Sequence, residues 1–252
     1  GWIGVTGLWN DHFIRTSLGP FTKNDRGEIR DLGVKSSVAA AELVHLKGLT
    51  KLETLFLGST QVTDAGLVQL KGLTNLRELR LGGTQVTDAG LVNLKGMTSL
   101  YYLNLSGSKI IDAGLVNLKG LSNLQYLWLD NTAITGPGLV HLKGLTGLKE
   151  LRLPKQITDA GLVHLAGMKL KSLTLPKEAM TDLGLKHYLA AVERPSTLSL
   201  FKWKITDKGL VHLAGMKLKK LVIPKGAMTD IGLKHFLAAV EPSKSQQLIH
   251  VA

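Results

Sequence analysis

Residues 62–85 read VTDAGLVQLKGLTNLRELRLGGTQ, residues 86–109 read VTDAGLVNLKGMTSLYYLNLSGSK, and residues 110–133 read IIDAGLVNLKGLSNLQYLWLDNTA. The three lines superimpose at a spacing of 24 residues. Self-similarity at a period of this size is the mark of a repeat architecture and outranks any local reading. Working outward, residues 38–61 (VAAAELVHLKGLTKLETLFLGSTQ) fit the same frame, and 134–156 and 157–179 are 23-residue variants. Residues 157–204 and 205–252 are both 48 long and align throughout, so a two-unit block is duplicated. The period therefore runs from about residue 29 to the C-terminus.

Two hydrophobic rhythms alternate within each unit. Leu55-Phe56-Leu57, Leu79-Arg80-Leu81, Leu103-Asn104-Leu105 and Leu127-Trp128-Leu129 have period 2 and predict short strands with one buried face. Leu67, Leu70 and Leu73 follow a three-residue spacing that fits one or two helical turns. Asp64 precedes that turn and is expected to cap it through its carboxylate, as are Asp88, Asp112, Asp159, Asp182, Asp207 and Asp230 in their own units. At 136–137 the pair is Gly-Pro, which puts Pro137 at the first helical position, where a missing N–H costs little. No unit can bury its leucines alone, so each needs its neighbours as walls.

The segment L-x-x-L-x-L-x-x-T-x-V, as in Leu76-Arg77-Glu78-Leu79-Arg80-Leu81-Gly82-Gly83-Thr84-Gln85-Val86, resembles the leucine-rich repeat. Its continuation T-D-x-G-L-x-x-L looks like the cysteine-containing, ribonuclease-inhibitor-like subclass. Where that subclass carries Asn or Cys, this chain has Thr60, Thr84, Ser108 and Thr132, then Gln156, Glu178, Trp203 and Gly226. A hydroxyl can serve the same turn, whereas the later residues predict less regular geometry in the second half. The resemblance implies an α/β solenoid, a horseshoe with a parallel sheet on its concave face and short helices on its convex face. It would comprise about nine units over residues 29–252, with residues 1–28 (Trp2, Trp9, Phe13 and Phe21 among them) as an N-terminal cap and residues 29–34 as a zeroth strand. Gln246 stands at the place of Leu198 in the duplicated block and reads as a last unit turning polar. The chain does not begin with Met, which fits a piece excised from a longer protein.

If the leucines point inward, the residues between them must face the concave groove. One column then runs Phe56, Arg80, Asn104, Trp128, Arg152, Thr174, Ser199, Val222, and its neighbour runs Thr54, Glu78, Tyr102, Tyr126, Glu150, Ser172, Thr197, Lys220. At ~4.8 Å per strand, Phe56 to Arg152 covers roughly 20 Å. Tyr101, Tyr102 and Tyr126 are three of the four tyrosines in the chain, and Trp128 lies among them. Aromatic side chains interleaved with arginine and glutamate on a sheet have the composition of a protein-binding hot spot. Phe56, Glu78, Arg80, Tyr102, Asn104, Tyr126, Trp128, Glu150 and Arg152 are accordingly the expected contacts for a protein partner. Cross-strand stacking that only stiffens the sheet is the competing reading, at ~0.2–1 kcal/mol per pair.

The remaining sequence excludes more than it adds. There is no cysteine for a disulfide or thiolate site, and no apolar run of the ~18–20 residues a membrane-spanning helix needs. P-loop, G-x-G-x-x-G, H-E-x-x-H and G-x-S-x-G motifs are missing, so no enzymatic activity, catalytic residue or cofactor is expected. His45, His141, His164, His187, His212 and His235 recur in register, but Gln69, Asn93 and Asn117 share that position, and helices ~8–10 Å apart cannot bring successive rings onto one metal ion. Lys47, Lys71, Lys95, Lys119 and Lys143 form a ladder that reads as a solvated face. The formal net charge of +12 is uneven: residues 1–150 carry 15 basic and 12 acidic side chains, residues 151–252 carry 16 and 7. The basic half, including Lys169, Lys171, Lys217, Lys219 and Lys220, could take a polyanion, whether an anionic glycan or a nucleic acid. The leading expectation is a monomeric, non-enzymatic protein-recognition module; a polyanion binder and a spacer without ligand are the alternatives.

Overall fold

The computed structural model of the chain describes residues 11, 14–38, 40–240 and 250–251. Each L-x-L segment forms a strand, because burying both leucines turns the residue between them outward. After β1 (Phe21–Lys23) and β2 (Ile29–Gly33) come β3 (Thr54–Phe56), β4 (Glu78–Arg80), β5 (Tyr102–Asn104), β6 (Tyr126–Trp128), β7 (Glu150–Arg152) and β8 (Ser172–Thr174). They form one eight-stranded sheet in sequence order, with β1 antiparallel to β2 and every later pair parallel. The register is that of the repeat: Leu55, Leu79, Leu103, Leu127, Leu151 and Leu173 stand side by side. Behind the sheet each coil returns through a short α or 3-10 helix, as in Asp64–Leu67 followed by Val68–Leu70.

The turn after each strand is held as the hydroxyl substitution implies. Thr60, Thr84, Ser108 and Thr132 are buried, and their hydroxyls donate to the carbonyls of Leu57, Leu81, Leu105 and Leu129 at 2.6–2.7 Å. Gln156, next in that column, instead reaches back to the carbonyls of Thr132 and Ile134 in the preceding coil.

The aspartates are not the N-caps, although Asp159 and Asp207 accept the N–H of the next residue, Ala160 and Lys208. The N-cap is the residue before each Asp; Thr87, Thr181, Thr206 and Thr229 take a backbone N–H on their side-chain oxygens. Each Asp is the first helical residue, and the carboxylates of Asp64, Asp88, Asp112, Asp159, Asp182 and Asp207 cross to the next coil. Asp64 accepts from the Thr87 N–H at 2.8 Å and from its hydroxyl at 2.6 Å, and Asp182 accepts from the same groups of Thr206 at 2.8 and 2.7 Å. Asp112 holds Thr135 in the same way. The glycine of T-D-x-G-L has its reason here: a Cβ on Gly90 would lie 2.3 Å from Asp64 Oδ1, and one on Gly114 would lie 2.2 Å from Asp88 Oδ1. Where Gly136 replaces the aspartate, Gly161 packs on it directly, backbone to backbone. Pro137 is consequently the second helical residue rather than the first, since Thr135 is the N-cap; that position has no intrahelical N–H partner either.

The sheet does not continue through the whole array. β9 (Thr197–Ser199), β10 (Lys220–Ile223) and β11 (His250–Val251) make a separate three-stranded parallel sheet. The helix before β9 spans ten residues, Asp182–Ala191, where the earlier coils have about seven. It delivers the chain to Leu170 too early: Val192 bridges Leu170, and the Glu193 N–H donates to the Leu170 carbonyl. Pro195 then sits where earlier coils have leucine and has no N–H to offer the sheet. Gln246 lies outside the described residues; His250 pairs with Val222, as Ser199 does, which is three residues later than the duplication predicts. Two apolar cores follow the same division, one from Ile14 to Val192 and one from Leu185 to Ala239, and Tyr188 and Trp203 pack against both. Among the described residues no helix is long and apolar enough to cross a membrane.

Candidate functional site

Strands β3 to β7 bring all nine expected contacts onto one face of the continuous sheet. Thr54, Glu78, Tyr102, Tyr126, Glu150 and Ser172 are successive partners in one row, and Phe56, Arg80, Asn104, Trp128, Arg152 and Thr174 in the next. Neither row is carried by strand pairing from β8 into β9, so Thr197, Ser199, Lys220 and Val222 belong to another sheet. Trp128 is half-buried on this face and not part of the leucine interior.

Adjacent rungs interlock. The Arg80 guanidinium lies over Phe56 at 4.7 Å and over Tyr102 at 5.2 Å, while its Nε meets Glu78 Oε1 at 2.6 Å. Tyr102 meets Trp128 edge-on at 5.2 Å and Tyr126 at 6.1 Å. The Trp128 indole N–H donates to Glu150 Oε1 at 3.0 Å, and Arg152 stacks 3.6 Å from the Trp128 ring while its Nε bonds the same glutamate at 3.1 Å. Asn104, between the arginines, accepts the Ser106 N–H at 2.9 Å. Each contact is worth well under the cost of exposing such rings, on the order of 0.5–1 kcal/mol for an exposed cation–π pair; together they hold the rings still. The two Glu–Arg pairs neutralise one another and bracket an uncharged aromatic centre.

The Tyr102 hydroxyl is buried without a hydrogen-bond partner, and burial raises its pKa, with the nearby Arg80 charge opposing that rise. Tyr101, not among the expected contacts, lies beside them: it is 42% exposed and packs 5.0 Å from Tyr126. Its position precedes the strand, where strict alternation would turn it inward. Polar Glu53, Arg77, Gln125 and Lys149 at the same place in other coils were the signal that it faces out.

The histidines behave as separate, half-exposed helix residues. His187 Nδ1 lies 2.8 Å from the Asp159 carbonyl, and burial, with the charge of Lys186, lowers the pKa of His212. Among the described residues no three acidic or histidine side chains gather closely enough to hold a metal ion.

A family profile described as Leucine Rich repeat matches residues 72–95. The structure of an internalin from Listeria monocytogenes superposes with a TM-score of 0.59 at 23% identity, covering 95% of this chain and 74% of that one. The chain folds as a leucine-rich-repeat solenoid. No curated protein matches it. In leucine-rich-repeat terms the β3–β7 face is the concave wall, and Phe56, Tyr102, Tyr126 and Trp128 are the aromatic residues of its two outward rows.

Proposed function

We propose that the protein is a non-enzymatic recognition module that holds a protein partner on the wall formed by β3 to β7, through Phe56, Glu78, Arg80, Tyr102, Asn104, Tyr126, Trp128, Glu150 and Arg152. Solenoids of this class offer extended surfaces suited to such binding. One observation carries the reading: four rings, the exposed Tyr101 and the half-buried Tyr102, Tyr126 and Trp128, touch one another on the sheet face and stay outside the leucine core. Rigid aromatic side chains lose little entropy when a partner covers them, and Tyr, Trp and Arg dominate hot spots for that reason. Cross-strand stiffening alone does not account for the choice, because leucine or valine would pack as well without exposing indole and phenol rings. The partner is expected to present an apolar anchor to the ring cluster, with polar groups meeting the two Glu–Arg pairs.

The test replaces Tyr102, Tyr126 and Trp128 by Ala and compares capture of a binding protein from the native organism with that of the intact chain. The triple variant should keep its circular dichroism spectrum and lose affinity by about a hundredfold or more, the range of a two-residue hot spot. Equal affinity in a folded triple variant would overturn the placement.

A further inference from the structure

The fold redistributes the charge that the sequence places in its second half. The turn that carries the chain from each helix to the next strand lies on one flank of the solenoid. In successive coils it opens with exposed Lys47, Lys71, Lys95, Lys119 and Lys143. In the later coils Ala166 and Ala214 hold that place, and the lysines follow three and five residues on, at Lys169 and Lys171 and at Lys217 and Lys219 in the duplicated block. The same turn thus carries lysines in both halves of the chain. Between two of these turns lies a groove of about 480 Å³, with Lys143, Lys149, Lys169 and Lys171 on its walls and one carboxylate, Glu193.

The lining of this groove is one-sided in charge, four lysines against Glu193, where the groove at Lys23, Arg26 and Lys51 also holds Asp11 and Glu28. None of the four lysines forms a salt bridge among the described residues, and neither do Lys47, Lys71, Lys95 and Lys119 on the earlier turns. Lys169 also holds a left-handed backbone with φ of 56°, as does Lys217 at 55° in the duplicated block. Glycine or asparagine takes that conformation at lower cost. The groove lining includes Gly147, Ala166 and Gly167, small residues that let a ligand approach the backbone, and no aromatic ring.

We propose that this flank groove binds a linear anionic polysaccharide, its sulfate or carboxylate groups meeting Lys143, Lys149, Lys169 and Lys171. Unpaired cations repeated on successive coils suit a chain with regularly repeated charge better than a single small anion. A single-stranded nucleic acid would draw much of its affinity from bases stacked on aromatic rings, and the groove has none to offer. The proposal is independent of the sheet-wall reading, since no residue is shared.

The test measures binding of a fluorescent sulfated polysaccharide by anisotropy over a salt series, against Lys143→Ala/Lys149→Ala/Lys169→Asn/Lys171→Ala. Asparagine at 169 keeps the left-handed backbone accessible. The intact chain should bind, weaken steeply with salt, and lose about tenfold or more in the quadruple variant; the Tyr102/Tyr126/Trp128 triple variant should bind as the intact chain does. No binding at low salt, or equal binding by a folded quadruple variant, overturns the proposal. So does an oligothymidylate of matched charge that binds more tightly than the polysaccharide, which would assign the groove to nucleic acid.

Discussion

A single carboxylate explains the most repeated wording in the chain. In T-D-x-G-L the Asp reaches forward 23 residues to the next threonine, and the Gly keeps open the space that the previous Asp occupies. Replacing Asp64 by Ala should cost about 1–3 kcal/mol, because the Thr87 N–H and hydroxyl lose an ionised acceptor. Gly90→Ala should cost about 1–3 kcal/mol through overpacking against Asp64, and clearly less in the Asp64→Ala background. Urea denaturation of the four proteins measures that coupling, and additivity would contradict it. Asp31 offers a pH readout at the β1–β2 pair: burial raises its carboxyl, but hydrogen bonds from Thr22 and Thr54 and the charge of Arg30 outweigh that and hold its pKa below the ordinary value. Its contribution to stability is then complete above the unfolded carboxyl pKa and lost as pH falls through the lowered folded one. Asp31→Asn should flatten the acid limb of the stability curve. Residue order alone predicts a local cap at Asp64 and its equivalents, because an Asp ahead of a helix has that local use; a partner one coil away leaves no local trace.

Strand positions were far easier to read. Period-2 leucines fix which side chains face out, so the two rows through Phe56 and Tyr102 could be written down from residue order. Tyr101 and the contacts among the rings were not legible, since alternation says which way a side chain points and nothing of its partner's rotamer. Arg152 makes this testable at the level of one strand pair. A lysine there keeps the charge but loses the planar stack 3.6 Å from Trp128 and the bond to Glu150. Arg152→Lys should shift the emission of Trp128 to longer wavelength while changing stability by less than about 1 kcal/mol. An unaltered spectrum would mean that the stack does not order the indole.

On the scale of the whole molecule, the sheet is interrupted while the helical side is not. Asp182 still binds Thr206 across the interruption, and Thr181 still bridges Lys204. Tyr188 and Trp203, edge-on at 5.5 Å, pack against both apolar cores. The longer helix and Pro195 are visible in the sequence, but the loss of pairing they cause is decided by where Val192 first finds a partner. Arrays of this kind unfold as coupled neighbours, so Trp203→Ala should separate one cooperative transition into two. Amides of residues 197–223 should then exchange before those of 54–174, as measured by hydrogen exchange. Simultaneous exchange of both regions in the variant would show that the convex contacts suffice to couple them.

The forward-reaching carboxylate also bears on how such a chain can grow. A standard coil supplies an acceptor to the coil after it and offers an amide, a cleared space and, except at Ile111, a hydroxyl to the coil before it. An additional copy spliced in at the same phase would meet a fitting mate on either side, and neither of the originals would have to change a residue. The coils at 38–61 and 134–156, with Ala40 and Gly136 where the acceptor should be, lack this interchangeable joint, and a copy inserted directly after either would find its threonine unanswered.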